Sequence, residues 1–168
     1  TDPIWAESVQ VAIERNKNLG LFLANFAKVI RLHPPHFQCI FLGDLCKNVI
    51  KLWQYKANER NIKLQLHSCE NVQKINVDPI QIEQVLHNVI KNSFEAIEAD
   101  QGEIHIHIQN NGKSLLITDT GTGITDETAI NLNQPFFSTK TNGQGIGLML
   151  SREILTAHRA SYKLWSED

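Results

Sequence analysis

The feature that constrains this chain most is the pair of adjacent prolines, Pro34 and Pro35, because an α-helix cannot continue through them. Before them, to about Leu32, apolar residues recur at helical spacing, whereas strand and helix patterns are mixed after them. We therefore predict a domain boundary here, with residues 1–36 as one long helix and its linker and residues 37–168 as a globular domain.

The long helix is predicted to begin at Pro3, with Asp2 as its N-cap. Its small and apolar residues form two neighbouring stripes, which one helix cannot bury alone. The first stripe is Val9, Ile13, Asn16, Gly20, Leu23, Ala27 and Ile30, and the second is Leu19, Phe22, Phe26 and Val29. Such a helix either folds back on its own domain or joins a bundle with another copy or with helices of a longer chain, and the alternating spacing of four and three favours dimerisation.

The rest of the chain alternates between short strands and helices. The strand candidates are residues 39–41, 62–67, 74–77, 103–109, 114–118 and 161–165, and the helix candidates are residues 44–60, 79–99 and 145–158. Asp44 and Asp78 are the predicted N-caps of the first two helices, and residues 110–112 (NNG) are typical of a hairpin turn. This order predicts an α+β fold, a two-layer sandwich in which helices cover one mixed sheet.

Composition narrows the functional classes. Of the 168 residues, 42% are hydrophobic and 20% are charged, as in ordinary globular domains. The formal net charge of −2 lacks the basic excess that is typical of a nucleic-acid-binding surface, so nucleic acid is not expected as a partner. No apolar run reaches the roughly 18–20 residues of a transmembrane helix, so no membrane segment is expected in this chain.

The cysteines and histidines give no strong metal or disulfide pattern. Cys39, Cys46 and Cys69 lack CxxC spacing, which favours core cysteines in a reducing compartment. His105 and His107 lie two residues apart in an alternating segment, so both are predicted on one face of a strand. A metal pair is one interpretation of that face, but a solvated sheet face is favoured over it.

The helix from Pro79 is largely apolar, yet it carries a polar stripe. Asn88, Asn92 and Glu95 fall at i, i+4 and i+7, on one side of the helix. Polar groups left unsatisfied among apolar ones cost roughly 1–3 kcal/mol each. The stripe therefore indicates either a wet helix face or a cleft in which amide oxygens meet a hard cation such as Mg²⁺.

Residues 119–124 (DTGTGI) directly follow a predicted strand. A carboxylate at a strand end, here Asp119, can accept a hydrogen bond from an exocyclic amine. Glycines two residues apart, Gly121 and Gly123, let the backbone approach a planar ligand closely. An Asp-rich turn after a strand is also common in proteins that bind no such ligand.

A second glycine-rich segment, residues 143–148 (GQGIGL), opens the last helix. Glycines free backbone N–H groups there, and the positive N-terminus of a helix favours phosphate. Between the two glycine segments, residues 135–140 (PFFSTK) belong to a stretch without clear periodicity, which forms either a lid or a surface loop. Phe136 and Phe137 would anchor a lid, and Lys140 is placed to meet a phosphate.

The serial order of these segments resembles the catalytic ATP-binding domain of bacterial two-component sensor histidine kinases, of the nitrogen-regulation-like subgroup. QVLHNVIKNSFEAI is similar to the N box of that family, DTGTGI to its G1 box, PFFSTK to its F box and GQGIGL to its G2 box. The resemblance covers roughly residues 40–160 and implies the Bergerat ATP-binding (GHKL) fold. The leading helix resembles the second helix of the dimerisation domain.

The resemblance also implies roles for individual residues. Asn92 would bind Mg²⁺, Asp119 would accept from the adenine amino group, and the late glycines would hold the triphosphate. The implied nucleotide-binding set is Asn88, Asn92, Asp119, Gly121, Gly123, Ile124, Phe136, Phe137, Lys140, Gly143, Gly145, Gly147 and Leu148, and the implied catalytic set is Asn92, Lys140 and Glu95.

The implied activity is transfer of the γ-phosphoryl group of ATP, with Mg²⁺, to a histidine outside this chain, for relay to a response regulator. The implied assembly is a homodimer through the N-terminal helix, in the cytoplasm or on the cytoplasmic side of a membrane-bound sensor. The alternatives are an anti-sigma-factor-like serine kinase and a non-catalytic nucleotide-binding dimerisation module. Hydrolysis of the gyrase type is disfavoured, because Asn88 stands where those ATPases have a general-base glutamate.

The chain departs from the family pattern in two places. None of its seven histidines is followed by an acidic residue and a proline, so the phosphoacceptor histidine is expected outside this chain. The family usually has two glycines after the histidine of the final helix, where Arg159 and Ala160 stand here. That difference leaves the geometry of the turn open.

Overall fold

The computed structural model describes residues 3–30, 32–67, 73–99, 101–131 and 145–166. Within these ranges the helices are α1 (Pro3–Ile30), α2 (Leu42–Glu59), α3 (Pro79–Ala96), α4 (Asp126–Asn131) and α5 (Ile146–Ala157), and the strands are β1 (Gln38–Phe41), β2 (Ile62–His67), β3 (Lys74–Val77), β4 (Gly102–Gln109) and β5 (Ser114–Asp119). The α+β class is confirmed. None of the described helices combines the length and the apolar character that a membrane span requires.

Within the described residues the strands form two sheets, a mixed three-stranded sheet of the kind expected from the sequence and a separate two-stranded sheet. β1 and β3 pair in antiparallel fashion, and β2, β4 and β5 form a mixed sheet in the order β2-β4-β5. β2 runs parallel to β4, which places His67 opposite His107, and β4 runs antiparallel to β5. The β4–β5 hairpin turns through Asn110 and Asn111, whose φ angles of 51° and 56° are ones that asparagine tolerates better than most residues.

The core lies between the three-stranded sheet and helices α2, α3 and α5. Ile104 and Ile106 of β4 are 0% and 1% exposed, and they belong to the same buried cluster as Ile90 and Phe94 of α3 and Ile154 of α5. Alternate residues of β4 therefore face the helices. The residues between them lie on the outer face of the sheet, away from this core.

The start of α3 is fixed by Asp78, as predicted. Its Oδ1 accepts from the N–H groups of Ile80 and Gln81 at 3.0 and 3.1 Å, and its Oδ2 accepts from the N–H of His36 at 2.8 Å. Burial by itself would raise the pKa of Asp78, but these backbone hydrogen bonds and the nearby His158 outweigh it and hold the pKa below its ordinary value. The carboxylate thus ties the linker to the helix.

The end of α5 resolves the turn that the sequence left open. The N–H of Arg159 donates to Thr156 O at 2.9 Å, and the N–H of Ala160 donates to Leu155 O at 2.9 Å. These are the two hydrogen bonds of a Schellman motif. Arg159 occupies its left-handed position with φ 56°, a conformation that glycine adopts at lower cost.

Other predictions about local structure were wrong. Asp44 lies in the first turn of α2 and is not its N-cap, because β1 runs directly into the helix and Phe41 takes the cap position without a side-chain hydrogen bond. Residues 161–165 form no strand. Helix α4 lies in a stretch that was expected to be irregular. The predicted cap Asp2 lies outside the described residues.

The two described cysteines differ in environment. Cys46 is buried in the core, where desolvation raises the pKa of its thiol to about 12. Cys39 is exposed, so the expectation of a core position is wrong for it. Both are free thiols. Cys69 lies outside the described residues.

Candidate functional site

Helix α3 is the element that organises the candidate site. Asn88 and Asn92 are both half-buried on α3, one turn apart, and Ala96 follows after one further turn. Residues at i, i+4 and i+8 share one face, and this face extends about 12 Å along the helix axis. Contacts at the two ends of this face join α3 to the two glycine-rich segments.

At the first end, Asn88 contacts the start of α5. Its Nδ2 donates to Gly147 O and to Ser151 Oγ, each at 3.3 Å. The N-cap of α5 is Gly145, in the left-handed conformation with φ 63° and without a side-chain hydrogen bond to the helix. The first N–H groups of α5, which Gly145 has no side chain to cap, therefore present a positive helix end beside the Asn88 carboxamide.

At the second end, Ala96 contacts the turn after β5. Its carbonyl accepts from the N–H of Thr122 at 3.0 Å. Asp119 ends β5, and its Oδ1 accepts from the N–H of Gly121 at 3.0 Å, which fixes the direction of the carboxylate. A Cβ at Gly121 would lie 2.5 Å from Ala96 Cβ, so this close approach requires glycine.

The second glycine of the turn, Gly123, is also required for steric reasons. Gly123 has φ 73°, which strains any residue with a side chain, and a Cβ there would lie 2.5 Å from Ser166 Oγ. Ile124 follows it and is half-buried. The chain near its C-terminal end thus passes beside the Asp119 turn.

The remaining predicted residues do not all join this arrangement. Glu95 is exposed on α3, and its Oε1 lies 3.6 Å from Lys91 Nζ. Leu148 is half-buried in the first turn of α5. Four predicted residues, Phe136, Phe137, Lys140 and Gly143, lie outside the described residues, and their roles stay predictions.

Two residues that the sequence did not single out hold the arrangement together. Ser151 accepts from Asn88, and Ala96 contacts both Gly121 and Thr122. Helical spacing could have placed both residues at the site, because Ser151 lies four residues after Gly147 and Ala96 lies four residues after Asn92, each on the same helix face as its predecessor. Neither side chain has chemistry that marks it as functional.

The chemistry of this arrangement suits a magnesium-bound nucleotide. Carboxamide oxygens suit a hard cation, a helix N-terminus suits phosphate, and the Asp119 carboxylate suits an amine. A separate cleft of about 790 Å³ lies between α1, the linker and the start of α3, where Leu32, Pro35 and Gln81 contribute to its wall. That cleft contains none of the predicted site residues.

The comparisons with known proteins bear on this arrangement directly. Residues 77–168 match the family model described as histidine kinase-, DNA gyrase B-, and HSP90-like ATPase, which covers α3, the Asp119 turn and α5. The chain belongs to this family. It carries an ATP-binding domain of the histidine kinase type, as the sequence predicted.

Its relatives in this ATPase family include named kinases. Sporulation kinase B of Bacillus subtilis is 34% identical over 122 residues, which are 71% of this chain and 28% of that protein. Sensor histidine kinase ZraS of Salmonella typhimurium is 28% identical over 165 residues, which are 95% of this chain and 35% of that protein. The chain therefore spans about a third or less of the length of these relatives.

Solved structures agree with the family assignment. The catalytic domain of histidine kinase ThkA superposes with a TM-score of 0.65 at 27% identity, over 73% of this chain and 83% of that one. ThkA in complex with response regulator protein TrrA superposes with a TM-score of 0.73 over 100% of this chain and 48% of that one, and at 20% identity this likeness shows the fold alone.

Proposed function

We propose that residues 37–168 bind Mg²⁺–ATP and transfer its γ-phosphoryl group to a histidine that lies outside this chain. The main support for the proposal is that α3 contacts both glycine-rich segments. One face of this helix contacts the start of α5 through Asn88 and the Asp119 turn through Ala96, with Asn92 between them. A single nucleotide along this face would reach all three segments.

Magnesium fits the residues present. The Nδ2 of Asn88 donates to Gly147 and Ser151, so Oδ1 is the polar atom of that side chain that can meet a cation. Asn92 adds a second carboxamide one turn away. Bound there, Mg²⁺ would supply charge neutralisation between the phosphates, which is its usual contribution in phosphoryl transfer.

The two ends of α3 would divide the nucleotide between them. Asp119, with Oδ1 held by the Gly121 N–H, would accept a hydrogen bond from the adenine amino group. The N–H groups at the start of α5 would bind the phosphate oxygens. Catalysis would then depend on positioning and on electrostatic stabilisation of the transferring group, as is general for kinases.

The decisive experiment mixes this chain with labelled ATP, Mg²⁺ and a separately made acceptor-histidine helix. Asn92→Ala should abolish label transfer without changing the circular dichroism spectrum. Asn48→Ala, at an exposed position of α2, is the matched control and should transfer like the unaltered chain. Transfer to serine would support the anti-sigma-factor-like alternative, and Mg²⁺–ATP binding without transfer would support the non-catalytic module. The comparisons lend neither alternative support.

We also propose that α1 mediates homodimerisation. Val9, Ile13 and Leu23 of the first apolar stripe are 53%, 45% and 55% exposed within this chain, so the stripe can be buried by a second copy. Leu23→Asp should convert a dimer to a monomer in light scattering. Leu52→Asp, at a leucine of α2 that is 66% exposed, should leave the dimer intact.

A response regulator is the proposed final acceptor of the phosphoryl group. The support is that ThkA, whose catalytic domain is 27% identical to this chain over the superposed part, was solved in complex with the response regulator protein TrrA. After transfer to the acceptor histidine, addition of the matching response regulator should move the label onto that protein.

A further inference from the structure

Three histidines gather on the outer face of the three-stranded sheet. His105 and His107 project from β4 on the side opposite the buried Ile104 and Ile106. The parallel register places His67, at the end of β2, directly opposite His107. The sequence pointed to the β4 pair alone, because His67 joins it only through pairing between distant strands.

The three imidazoles lie within the reach of one ion. One ring nitrogen from each of them lies within 4.8 Å of the others. His67 Nε2 and His105 Nδ1 are 3.0 Å apart, and the rings of His67 and His107 stack at 4.4 Å between centroids. Nitrogens that share a tetrahedral zinc ion at about 2.0–2.1 Å lie about 3.3 Å apart, so the His67–His105 pair is already close to that spacing, and the stacked His67 and His107 rings would have to rotate to close the set.

A carboxylate already orients the central histidine. Glu103 Oε2 lies 2.7 Å from His105 Nε2, and the other ring nitrogen of His105, Nδ1, is the one that faces His67. Metal-binding histidines usually donate their second ring N–H to such a carboxylate. A solvated sheet face would not require this arrangement, and the Glu103 contact is the observation that favours a ligand set over it.

We propose that His67, His105 and His107 bind one late first-row divalent metal ion, of which Zn²⁺ is the representative. Three imidazoles with Glu103 behind His105 form the kind of ligand set that such ions prefer, and a water molecule would complete the coordination. This site is separate from the proposed magnesium site, because it lies on the opposite side of the sheet from α3.

The charges around the cluster are compatible with a cation. Lys63 is the nearby base, and its Nζ lies 3.7 Å from Glu103 Oε1, so its charge is paired with that carboxylate.

The test titrates the nucleotide-free chain with Co²⁺, read from its visible absorption, and then displaces Co²⁺ with Zn²⁺. We expect one ion per chain, at least tenfold weaker binding for each of His67→Ala, His105→Ala and His107→Ala, and a 10- to 100-fold loss for Glu103→Gln. His36→Ala, at an exposed linker histidine, should bind like the unaltered chain.

Two further variants keep the result interpretable. Asn92→Ala should bind Co²⁺ like the unaltered chain, which distinguishes the histidine site from the nucleotide site. His67→Gln removes the same imidazole as His67→Ala, but it keeps a side chain of similar length at this exposed position. The proposal is overturned if the unaltered chain binds no Co²⁺, or if loss of His67 leaves the affinity within twofold. It is also overturned if Asn92→Ala removes the ion.

Discussion

Replacing Gly121 by alanine would put a methyl group where α3 leaves no room for it. The new Cβ would lie 2.5 Å from Ala96 Cβ, 2.8 Å from Ala96 C and 2.8 Å from Asp119 Oδ1. Two of these atoms are the Cβ and the backbone of a helix residue, so the turn has to move away from α3 by about 1 Å to restore van der Waals contact near 3.5–4.0 Å.

This movement has a cost that can be estimated. Overpacking of this kind destabilises proteins by about 1–3 kcal/mol, which in a chain of this size lowers the melting temperature by about 2 to 12 °C. The displaced turn also carries Asp119, and loss of one hydrogen bond of about 1–3 kcal/mol weakens binding about 5- to 150-fold. We therefore expect Gly121→Ala to fold, to have a lower melting temperature than the unaltered chain and to bind ATP more weakly.

The assay combines a thermal melt with calorimetric titration of Mg²⁺–ATP. Gly20→Ala is the matched control, because a Cβ at Gly20 on α1 meets nothing within 4 Å. That control should be stabilised by about 0.5–1 kcal/mol through helix propensity and should leave ATP affinity unchanged. Unchanged melting and affinity in Gly121→Ala would refute the close approach of the turn to α3.

Three further substitutions test the elements that support the site. Asp78→Ala should destabilise the chain by about 1–3 kcal/mol in urea denaturation, since it removes the cap of α3 and the bond to His36. The pKa of Asp78 is lower in the folded chain than its ordinary value of 3.8, so the ionised carboxylate contributes fully to stability above pH 3.8, and this contribution is lost as the pH falls further. The difference in unfolding free energy between the unaltered chain and Asp78→Ala should therefore shrink in acid. Arg159→Gly should stabilise by about 0.5–1 kcal/mol in the same assay, because glycine relieves the left-handed position after α5. Arg60→Ala should lower the free energy of unfolding by about 1–3 kcal/mol, because the Arg60 guanidinium donates to backbone carbonyls at and after the end of α3, including Phe94 O at 2.7 Å. Unchanged stability would show that water replaces the guanidinium.

Local signals in the sequence predicted most of the domain. The alternation of residues 62–67 and 74–77 gave β2 and β3 with the observed bounds, and Asp78 followed by Pro79 marked the start of α3. These elements were predictable because side-chain period and capping chemistry act over a few neighbouring residues. The same holds for Asn88 and Asn92, whose shared face follows from helix geometry.

Features set by tertiary contacts were not predictable in this way. Asp44 has the chemistry of a cap, but Leu42 and Leu45 are both buried in the core and α2 begins earlier than the cap signal. Residues 161–165 alternate like a strand, yet in the described part of the chain they pair with no neighbour, and a strand exists only through pairing. The histidine cluster likewise depends on the register between β2 and β4, because His67 lies 38 residues before His105 in the sequence.

The proposed function requires α3, the Asp119 turn and the start of α5 to surround one nucleotide. Amide hydrogen exchange with and without Mg²⁺–ATP tests it most directly. We expect residues 88–96, 119–124 and 145–151 to gain protection together, at the same nucleotide concentration, while the protection of residues 62–67 on β2 does not change. Protection limited to one of the three segments, or reached at different concentrations in each, would contradict it.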